Sequence, residues 1–366
     1  MTMSCTENLK NTMTHLTLIS GLPDDLAILC LSRVPRRYHR VLKCVSRRWR
    51  DLLGSEEWHI SRRRNNTEEC WVYAVCKVNL KEHLCYVLDP DPTYRNWKLM
   101  QCMRTPCSQN DGMSIIALGK KVYLLGGCTW QEDATDDVHC YDASSNKWAV
   151  SSRMPTASSD FQKIFDNNMC YFASTSLNEK LYIGSGFGLN SKSPKSWDIY
   201  NSNSDSWISH KNPLPNHDIV KFIAFDAKLY TIHRSEKGLH YAGIYDPASA
   251  TWQITDDEIA LCSCGPTVVV DGTLYMLDET LGARLMKWEN AQKEWALIGR
   301  LSHHLIRPPC HLVAIGRSIY VIGQGLSTMV IDVDEAAKGK GILVGFSFSP
   351  ILGLDHNVIS CSTITI

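Results

Sequence analysis

The sequence has no apolar run long enough to cross a membrane, since none approaches the roughly 18 residues that a spanning helix needs. Its first ten residues are polar and lack the apolar segment of a signal peptide. The formal net charge at pH 7 is +0, so the chain as a whole has no electrostatic attraction to nucleic acid or membranes. These features predict a cytosolic or nuclear protein.

The sequence also lacks the cysteine spacing of a zinc site, although it contains 15 cysteines. The closest clusters of metal-ligating residue types are Cys102 with Cys107, Cys262 with Cys264, and His303 with His304. None has a second ligand pair at zinc-like spacing. We therefore predict reduced thiols, many of them acting as small core residues, and neither a metal nor a cofactor.

Motifs of common catalytic sites are missing as well. The sequence contains no Gly-x-Ser-x-Gly nucleophile turn and no His-Glu-x-x-His helix. The glycine-rich segment 184–188 superficially resembles a phosphate-binding loop, but no helix pattern follows it, so we interpret it as a turn at a strand end. The sequence favours a non-catalytic protein.

The zero net charge conceals an uneven distribution. Residues 33–64 contain eleven basic and three acidic residues, a formal charge of +8, and the rest of the chain carries −8. A basic segment of this kind favours a solvated face that meets an acidic protein partner. Binding of nucleic acid, or nuclear import, is the alternative.

Three short helices are predicted after a polar segment, residues 1–17, that we expect to be disordered. Leu22-Pro23-Asp24-Asp25-Leu26 has a proline and two acidic residues where a helix would begin. Val34-Pro35 ends this first helix, a second spans residues 37–45, and Ser46 caps a third. So few residues form a very small core, and apolar residues on a second face then require a partner.

This pattern resembles an F-box, the module that binds Skp-type adaptors of cullin–RING ubiquitin ligases. The matching segments are Leu22-Pro23-Asp24-Asp25-Leu26, Leu31-Ser32-Arg33-Val34-Pro35 and Val45-Ser46-Arg47-Arg48-Trp49-Arg50. The resemblance implies that the residues contacting the adaptor are Leu22, Pro23, Leu26, Ile28, Leu31, Val34 and Pro35. It implies that the module's own core consists of Val41, Leu42, Val45, Trp49 and Leu52. Cys30 stands where the family usually has a larger aliphatic residue.

The remainder of the chain repeats one motif, an apolar run with a tyrosine, which in four of five cases is followed 20 to 25 residues later by a tryptophan. The tyrosines are Tyr123, Tyr182, Tyr230, Tyr275 and Tyr320, spaced 59, 48, 45 and 45 residues apart. The tryptophans are Trp97, Trp148, Trp207, Trp252 and Trp295, spaced 51, 59, 45 and 43 residues apart. The runs are apolar on both faces, as expected for a sheet packed between two neighbouring sheets. Turn residues precede most of them.

A period near 50 with this pattern resembles the kelch repeat, whose units are four-stranded blades of a β-propeller. The resemblance is degenerate, because the family's diglycine is complete only at Gly126-Gly127. We predict six blades, the first of which lacks an innermost strand. The apolar tail 358–366 would supply this strand and so close the propeller, removing its exposed edges.

The predicted organisation is a disordered segment 1–17, an all-α F-box at 18–64, a linker at 65–69 and an all-β propeller at 70–366. Substrate capture is expected on loops between blade strands. The candidate substrate-binding residues are Trp130, Lys192, Lys195, Arg234 and Arg284, since aromatic and arginine side chains anchor interfaces.

The predicted function is that of a substrate receptor of an SCF-type ubiquitin ligase. The F-box would bind a Skp-type adaptor, and through it a cullin, while the propeller holds a protein substrate. The arrangement resembles the plant F-box/kelch-repeat proteins. Two alternatives are a scaffold or nucleic-acid-associated protein that uses the basic helices, and a propeller enzyme with a site on the central channel.

Overall fold

In the computed structural model, four of the five described α-helices lie before residue 65, and the described strands follow them. It describes residues 17–79, 82–89, 91, 93, 96–100, 113–126, 135–155, 173–184, 196–211, 218–235, 239–255, 258–280, 282–302, 304–338, 346–348 and 357–366. The chain divides into two compact units, Met1–Glu69 and Cys70–Ile366. No helix in these described ranges has the length and apolar character needed to cross a bilayer.

The first unit is built from short helices. Its described helices are α1 (Asp24–Ser32), a 3₁₀ turn (Arg36–Tyr38), α2 (His39–Val45), α3 (Arg47–Leu52) and α4 (Glu56–Arg64). The predicted cap of α3 is confirmed, because the Ser46 hydroxyl accepts a hydrogen bond of 3.1 Å from the Trp49 amide. The sequence prediction of three helices was wrong in number. It overlooked α4, which Ser55 caps in the same way through the Trp58 amide at 3.2 Å.

The second unit is a β-propeller, which confirms the predicted fold class. Its described strands form six four-stranded antiparallel sheets, one for each blade. Blade 1 contains β1 (Cys70–Asn79), β2 (Glu82–Leu88) and β3 (Trp97–Leu99). Blade 2 contains β4 (Ser114–Leu118), β5 (Lys121–Leu125), β6 (Val138–Asp142) and β7 (Lys147–Ser151). Blade 3 contains β8 (Ala173–Leu177), β9 (Lys180–Gly184), β10 (Ser196–Asn201) and β11 (Ser206–Lys211).

The last three blades follow the same order along the chain. Blade 4 contains β12 (Asp218–Phe225), β13 (Lys228–Arg234), β14 (His240–Asp246) and β15 (Thr251–Thr255). Blade 5 follows a 3₁₀ segment (Glu258–Cys264) and contains β16 (Thr267–Val270), β17 (Thr273–Asp278), β18 (Arg284–Glu289) and β19 (Glu294–Arg300). Blade 6 contains β20 (His311–Ile315), β21 (Ser318–Ile322), β22 (Thr328–Asp332) and β23 (Phe346–Phe348), with a 3₁₀ turn (Gln324–Leu326) and α5 (Val333–Lys338) between its strands.

The final strand, β24 (Asn357–Thr365), returns to blade 1 and pairs with β1. It occupies the innermost position of that sheet, the position that the first strand holds in the other five blades. The prediction that the tail closes the propeller is therefore confirmed. The first and last strands of the propeller share one blade, and this pairing leaves no open end between blades 1 and 6.

The core of the propeller lies between blades rather than in one central mass. Each of the six buried clusters of the described propeller residues joins two successive blades. Strand β5 shows why the repeated runs are apolar on both faces. Val122 and Leu124 pack towards blade 1, whereas Tyr123 and Leu125 pack towards blade 3.

The repeated tryptophans serve a role that their spacing did not reveal. In four blades the tryptophan on the outermost strand lies opposite an aromatic residue on the third strand. The pairs are Tyr141–Trp148, Tyr200–Trp207, Tyr245–Trp252 and Trp288–Trp295, with ring centroids 4.9–5.3 Å apart. The Trp207 indole also donates to the Ser152 carbonyl at 2.8 Å, which links blade 3 to blade 2.

One buried carboxyl in this interior is electrostatically unfavourable. Asp198 on β10 is 2% exposed, and its Oδ1 has no hydrogen-bond partner among the described residues. Burial raises the pKa of Asp198 to about 6. Between about pH 4 and pH 6 the folded state therefore holds a proton that the unfolded state has released. The contribution of Asp198 to the free energy of unfolding therefore falls as pH rises through this window and stays low above it.

We expect Asp198→Asn to stabilise the protein at pH 8 by about 1–3 kcal/mol, since one pKa unit corresponds to about 1.4 kcal/mol. The gain should shrink as pH falls and vanish near pH 4. Denaturant unfolding of both proteins from pH 4 to pH 8 checks this, with the exposed Asp226→Asn as the control. Equal stabilities at pH 8 would contradict the assignment of an unfavourable charge to Asp198.

Candidate protein-docking sites

The start of α1 is held by a network of local hydrogen bonds. A turn joins Ile19 to Leu22, whose amide donates to the Ile19 carbonyl at 3.1 Å, and Gly21 adopts the positive φ of 78° that this turn uses. The Asp24 carboxylate accepts from the Leu18 amide at 2.7 Å and pairs with Arg48 at 2.8 Å. Leu22 and Pro23 are thus presented in a fixed geometry at the helix entrance.

A single buried cluster holds the helices together. Its buried members are Leu31, Leu52, Leu53 and Trp58, and the half-buried residues packed against them are Leu18, Ile19, Ile28, Leu42 and Trp49. The Trp49 indole donates to the Leu18 carbonyl at 2.7 Å, which ties α3 to the segment before α1. His39 lies edge-on to Trp58 with ring centroids 5.4 Å apart.

A buried arginine connects α4 to the end of α1. Arg62 is 1% exposed and donates to the carbonyls of Ser32 at 2.8 Å and Val34 at 3.1 Å. Its guanidinium lies 3.7 Å from the Glu69 carboxylate, which also accepts from the Arg36 amide at 3.2 Å. One side chain therefore satisfies carbonyls that the end of a helix leaves without intrahelical partners.

Two helices nevertheless expose apolar side chains. Leu26 and Cys30, four residues apart on α1, are both exposed, Leu26 by 45%. On α2 the equivalent pair is Val41, 65% exposed, and Val45, 59% exposed. Residues at this spacing lie on the same helix face, so each helix presents an apolar face that the unit itself does not cover.

The second candidate site lies on one end of the propeller, which we call the upper face. This face carries the connections between the second and third strands of the blades. Arg234 ends β13 and Arg284 begins β18, so both lie at this face. Arg234 is exposed, whereas Arg284 donates to the Asp278 carboxylate, its Nε at 3.1 Å, and is held within blade 5.

No group of three or more potential metal-ligating residues is placed to hold an ion within the part of the chain that the structure describes. The cysteines whose side chains the structure describes are free thiols. Cys76 and Cys310 are buried, and burial raises the pKa of both thiols. These two cysteines pack as small apolar residues between blades.

Comparison with known proteins relates both units to one family. The F-box domain family matches residues 19–61, and the Kelch motif matches residues 111–155. The F-box/kelch-repeat protein SKIP4 of Arabidopsis thaliana is 38% identical over 357 residues, which cover 96% of each chain. The chain belongs to the F-box/kelch-repeat family.

Other members of the F-box/kelch-repeat family are more distant. SKIP30 of Arabidopsis thaliana is 23% identical over 368 residues, covering 95% of this chain and 97% of its own. Among solved structures, that of YjhT covers 72% of this chain and 90% of its own, with a TM-score of 0.50 and 14% identity. A likeness at this identity concerns the fold alone.

The predicted adaptor-binding residues of the F-box differ in exposure and fall into three groups. Pro23 and Leu26 are exposed, while the partly buried members of the set are Leu22, Ile28, Val34 and Pro35. Contact of these residues with an adaptor stays a prediction. Leu31 is the exception, because it is 5% exposed and lies inside the F-box core. Almost none of the Leu31 side chain is accessible to a partner, so the prediction that it contacts the adaptor needs correction.

The predicted core of the F-box was wrong at two positions. Val41 and Val45 were assigned to the interior together with Leu42, but only Leu42 packs against the core. The seven-residue helix α2 turns Leu42 and His39, three positions apart, towards Trp58 and leaves the valines outside. The sequence analysis also missed Arg62, although Ser55-Glu56-Glu57 and the basic run 62–64 are ordinary signals of a helix start and end.

The structure describes only two of the five candidate substrate-binding residues. Trp130, Lys192 and Lys195 lie outside the described residues. Arg234 is exposed at the upper face, and its role stays a prediction. Arg284 is bound to Asp278, which is itself hydrogen-bonded to Thr280 at 2.6 Å, so Arg284 shapes its loop. A contact from Arg284 to a substrate would compete with this ion pair.

We expect Arg62→Met to destabilise the F-box by about 3 kcal/mol, because two buried carbonyls and the Glu69 carboxylate lose their donor. Hydrogen exchange of the α1 and α4 amides in the full chain should accelerate about 100-fold. Arg63→Met is the matched control, since the Arg63 side chain is 66% exposed. Equal protection in the two variants would contradict the role given to Arg62.

Proposed function

We propose that this chain is the substrate-recognition subunit of an SCF-type cullin–RING ubiquitin ligase. The F-box binds a Skp-type adaptor, and the adaptor connects it to a cullin. The propeller binds a protein substrate and brings its lysines close to the ubiquitin carrier. The chain itself is non-catalytic, since rate enhancement comes from proximity.

One observation carries this proposal, namely that a folded F-box leaves apolar faces of α1 and α2 uncovered. Leu26, Val41 and Val45 are between 45% and 65% exposed, although the unit has a very small core in which to bury apolar residues. An adaptor surface of apolar character would cover them at a gain of about 25 cal/mol per Å². The basic residues 33–64, with a formal charge of +8, favour an acidic adaptor.

The order of assembly tests the proposal. Size-exclusion chromatography with light scattering should give a 1:1 complex of the full chain with a Skp-type adaptor at micromolar concentration. A cullin should join only when the adaptor is present. A folded chain that binds neither protein, or that binds the cullin without the adaptor, would overturn the proposal.

The same proposal places the chain in the cytosol or nucleus. Cys76, Cys85 and Cys140 are buried free thiols, as expected for a protein of a reducing compartment. Fluorescence microscopy of the tagged full chain checks this location. Accumulation in the secretory pathway would contradict it.

A further inference from the structure

The connection between β19 and β20 has a firmly anchored backbone. Residues 301–310 of this connection are described except for His303. Leu301 and Ile306 are 6% and 0% exposed and belong to the buried cluster between blades 5 and 6. The Leu301 amide also donates to the Ala283 carbonyl at 2.8 Å. The connection is therefore held at two points, and its outward side chains project from a fixed backbone.

Strand register places both ends of this connection at the upper face. Arg300, the last residue of β19, lies opposite Arg284, the first residue of β18, which begins at that face. At the other end, the Arg307 carbonyl accepts a hydrogen bond of 3.1 Å from the amide of Gln324, in the turn between β21 and β22. That turn joins the second and third strands of blade 6. The connection therefore crosses the upper face from the outermost strand of blade 5 towards the second strand of blade 6.

The two arginines at the ends of this connection are unpaired. Arg300 and Arg307 are exposed, and neither side chain forms an ion pair or a hydrogen bond with the residues that the structure describes. A guanidinium group is always charged and can bind a carboxylate through two parallel hydrogen bonds. Arginine is also among the residues that contribute most to the stability of protein interfaces. Each end of the connection therefore offers a binding site for a carboxylate.

The acidic residues of the adjacent loop between β17 and β18 already have partners. Asp278 pairs with Arg284, and the Glu279 carboxylate accepts from the Cys310 amide at 2.9 Å. Residues 295–331 contain three arginines and no aspartate or glutamate, although the sequence of the propeller is acidic overall. The connection is therefore a basic region within an acidic unit, which favours a partner of negative charge.

An apolar residue lies between the two arginines in the sequence. Leu305 is 46% exposed, and its amide donates to the Ser302 carbonyl at 3.0 Å. Pro308 and Pro309, which follow Arg307, are exposed as well. A partner that covered Leu305 would remove apolar surface from water, which favours association. The connection thus combines one apolar contact with two cationic ones.

These contacts fit a segment of a protein better than a nucleic acid. Affinity for nucleic acid depends on many phosphate contacts, whereas this connection provides two unpaired arginines. Leu305 would gain nothing from a phosphate backbone, but it can pack against an apolar side chain. Because the backbone of the connection is already anchored, little of its conformational freedom is lost when a peptide binds.

We propose that the connection between β19 and β20 binds an acidic segment of a protein substrate, with carboxylates on Arg300 and Arg307 and an apolar side chain on Leu305. This inference rests on the proposed substrate-receptor function and deepens it, because it gives the chemical class of the segment that the propeller recognises. It also moves the expected contact from Arg284, which is bound to Asp278, to the unpaired arginine opposite it.

Selection of a random peptide display library on the full chain tests the proposal. The enriched peptides should contain aspartate or glutamate on both sides of an apolar residue, and a synthetic peptide of an enriched sequence should bind at one site in isothermal titration. Arg300→Gln/Arg307→Gln should weaken this binding at least about 10-fold, because charge-assisted hydrogen bonds are lost. Leu305→Ala should weaken it about 5-fold or more, as truncation of an apolar interface anchor does.

Lys147→Gln/Lys180→Gln is the matched control. Both lysines are exposed and begin strands at the opposite end of the propeller, so this variant loses the same two positive charges away from the upper face. It should bind the peptide with wild-type affinity. Thermal unfolding should show a cooperative transition in every variant, because none of the substituted side chains is buried.

Three results would overturn the inference. The first is a selection that enriches no peptide, or only peptides without acidic residues. The second is an equal effect of the arginine and lysine variants on peptide binding. The third is binding of a single-stranded RNA that Arg300→Gln/Arg307→Gln abolishes while no peptide is enriched, which would assign the arginines to phosphates.

Adaptor binding by the same proteins separates this inference from the proposed function. Size-exclusion chromatography should show the adaptor complex equally with the wild-type chain and with all three variants. If the adaptor binds and no acidic peptide does, the docking surface is wrong and the ligase proposal stands. If an acidic peptide binds through the arginines and the adaptor does not bind, the ligase proposal is wrong and the peptide site stands.

Discussion

Deletion of residues 357–366 should abolish cooperative folding of the propeller. The deletion removes β24, which fills the innermost position of blade 1 and pairs with β1 from Cys70 to Lys77. It also removes Val358, Ile364 and Ile366, which are 4%, 1% and 1% exposed. Each such side chain contributes about 1.5–3 kcal/mol by burial. The free energy lost with these three side chains and with the β24–β1 hydrogen bonds is therefore comparable to the whole free energy of unfolding of a domain, about 5–15 kcal/mol.

The lost strand should be replaceable in trans, which distinguishes a specific closure from general damage. A synthetic peptide of residues 357–366 should restore a cooperative thermal transition by adding itself to the free edge of β1. The same peptide with Ile364→Asp should fail, because a charge would enter the cluster between blades 1 and 2. A deletion variant that keeps the wild-type midpoint without peptide would contradict closure by β24.

Leu26→Asp should weaken adaptor binding by at least about 30-fold. Leu26 is 45% exposed on α1, so a partner that covers it would have to bury the new carboxylate without a counter-charge. Truncation of a central interface residue alone costs about 2 kcal/mol or more, which corresponds to this factor. The F-box fold should survive, because the Leu26 side chain is not part of the buried cluster.

Val150→Asp is the matched control for this experiment. Val150 lies on β7, the outermost strand of blade 2, and is 70% exposed, so the substitution adds the same charge to an exposed apolar site outside the F-box. Isothermal titration with the adaptor should give wild-type affinity for Val150→Asp. A similar loss in both variants, or no loss in Leu26→Asp, would remove Leu26 from the adaptor surface.

The sequence allowed the architecture of the propeller to be predicted because each blade repeats its own signals. The tyrosine runs and the tryptophans occur in a constant order, and the tail 358–366 matched the one blade without an innermost strand. The aromatic partners opposite four of the five repeated tryptophans were not predicted. Tyr141 and Tyr200 lie in the third strand, and only the cross-strand register reveals that they face Trp148 and Trp207.

The F-box was harder to predict in detail, because short helices give weak periodicity. Val41, Leu42 and Val45 on α2 are all apolar. A helix of seven residues is too short for its sequence pattern to show which of them faces the core. Trp58, on the helix α4 that the sequence prediction overlooked, packs against His39 and thereby determines which face of α2 is turned inward. Leu31 was assigned to the adaptor surface for the same reason, since α4 and its Arg62 enclose the end of α1.

The most direct test of the ligase role compares ubiquitination of bound proteins in cells that express the wild-type chain or Leu26→Asp. The propeller is unchanged in the variant, so both chains should capture the same proteins on affinity purification. Those shared proteins should carry ubiquitin on lysines, and turn over faster, only with the wild-type chain. Equal ubiquitination of the shared proteins in both cell lines, with the variant shown to have lost the adaptor, would contradict the account.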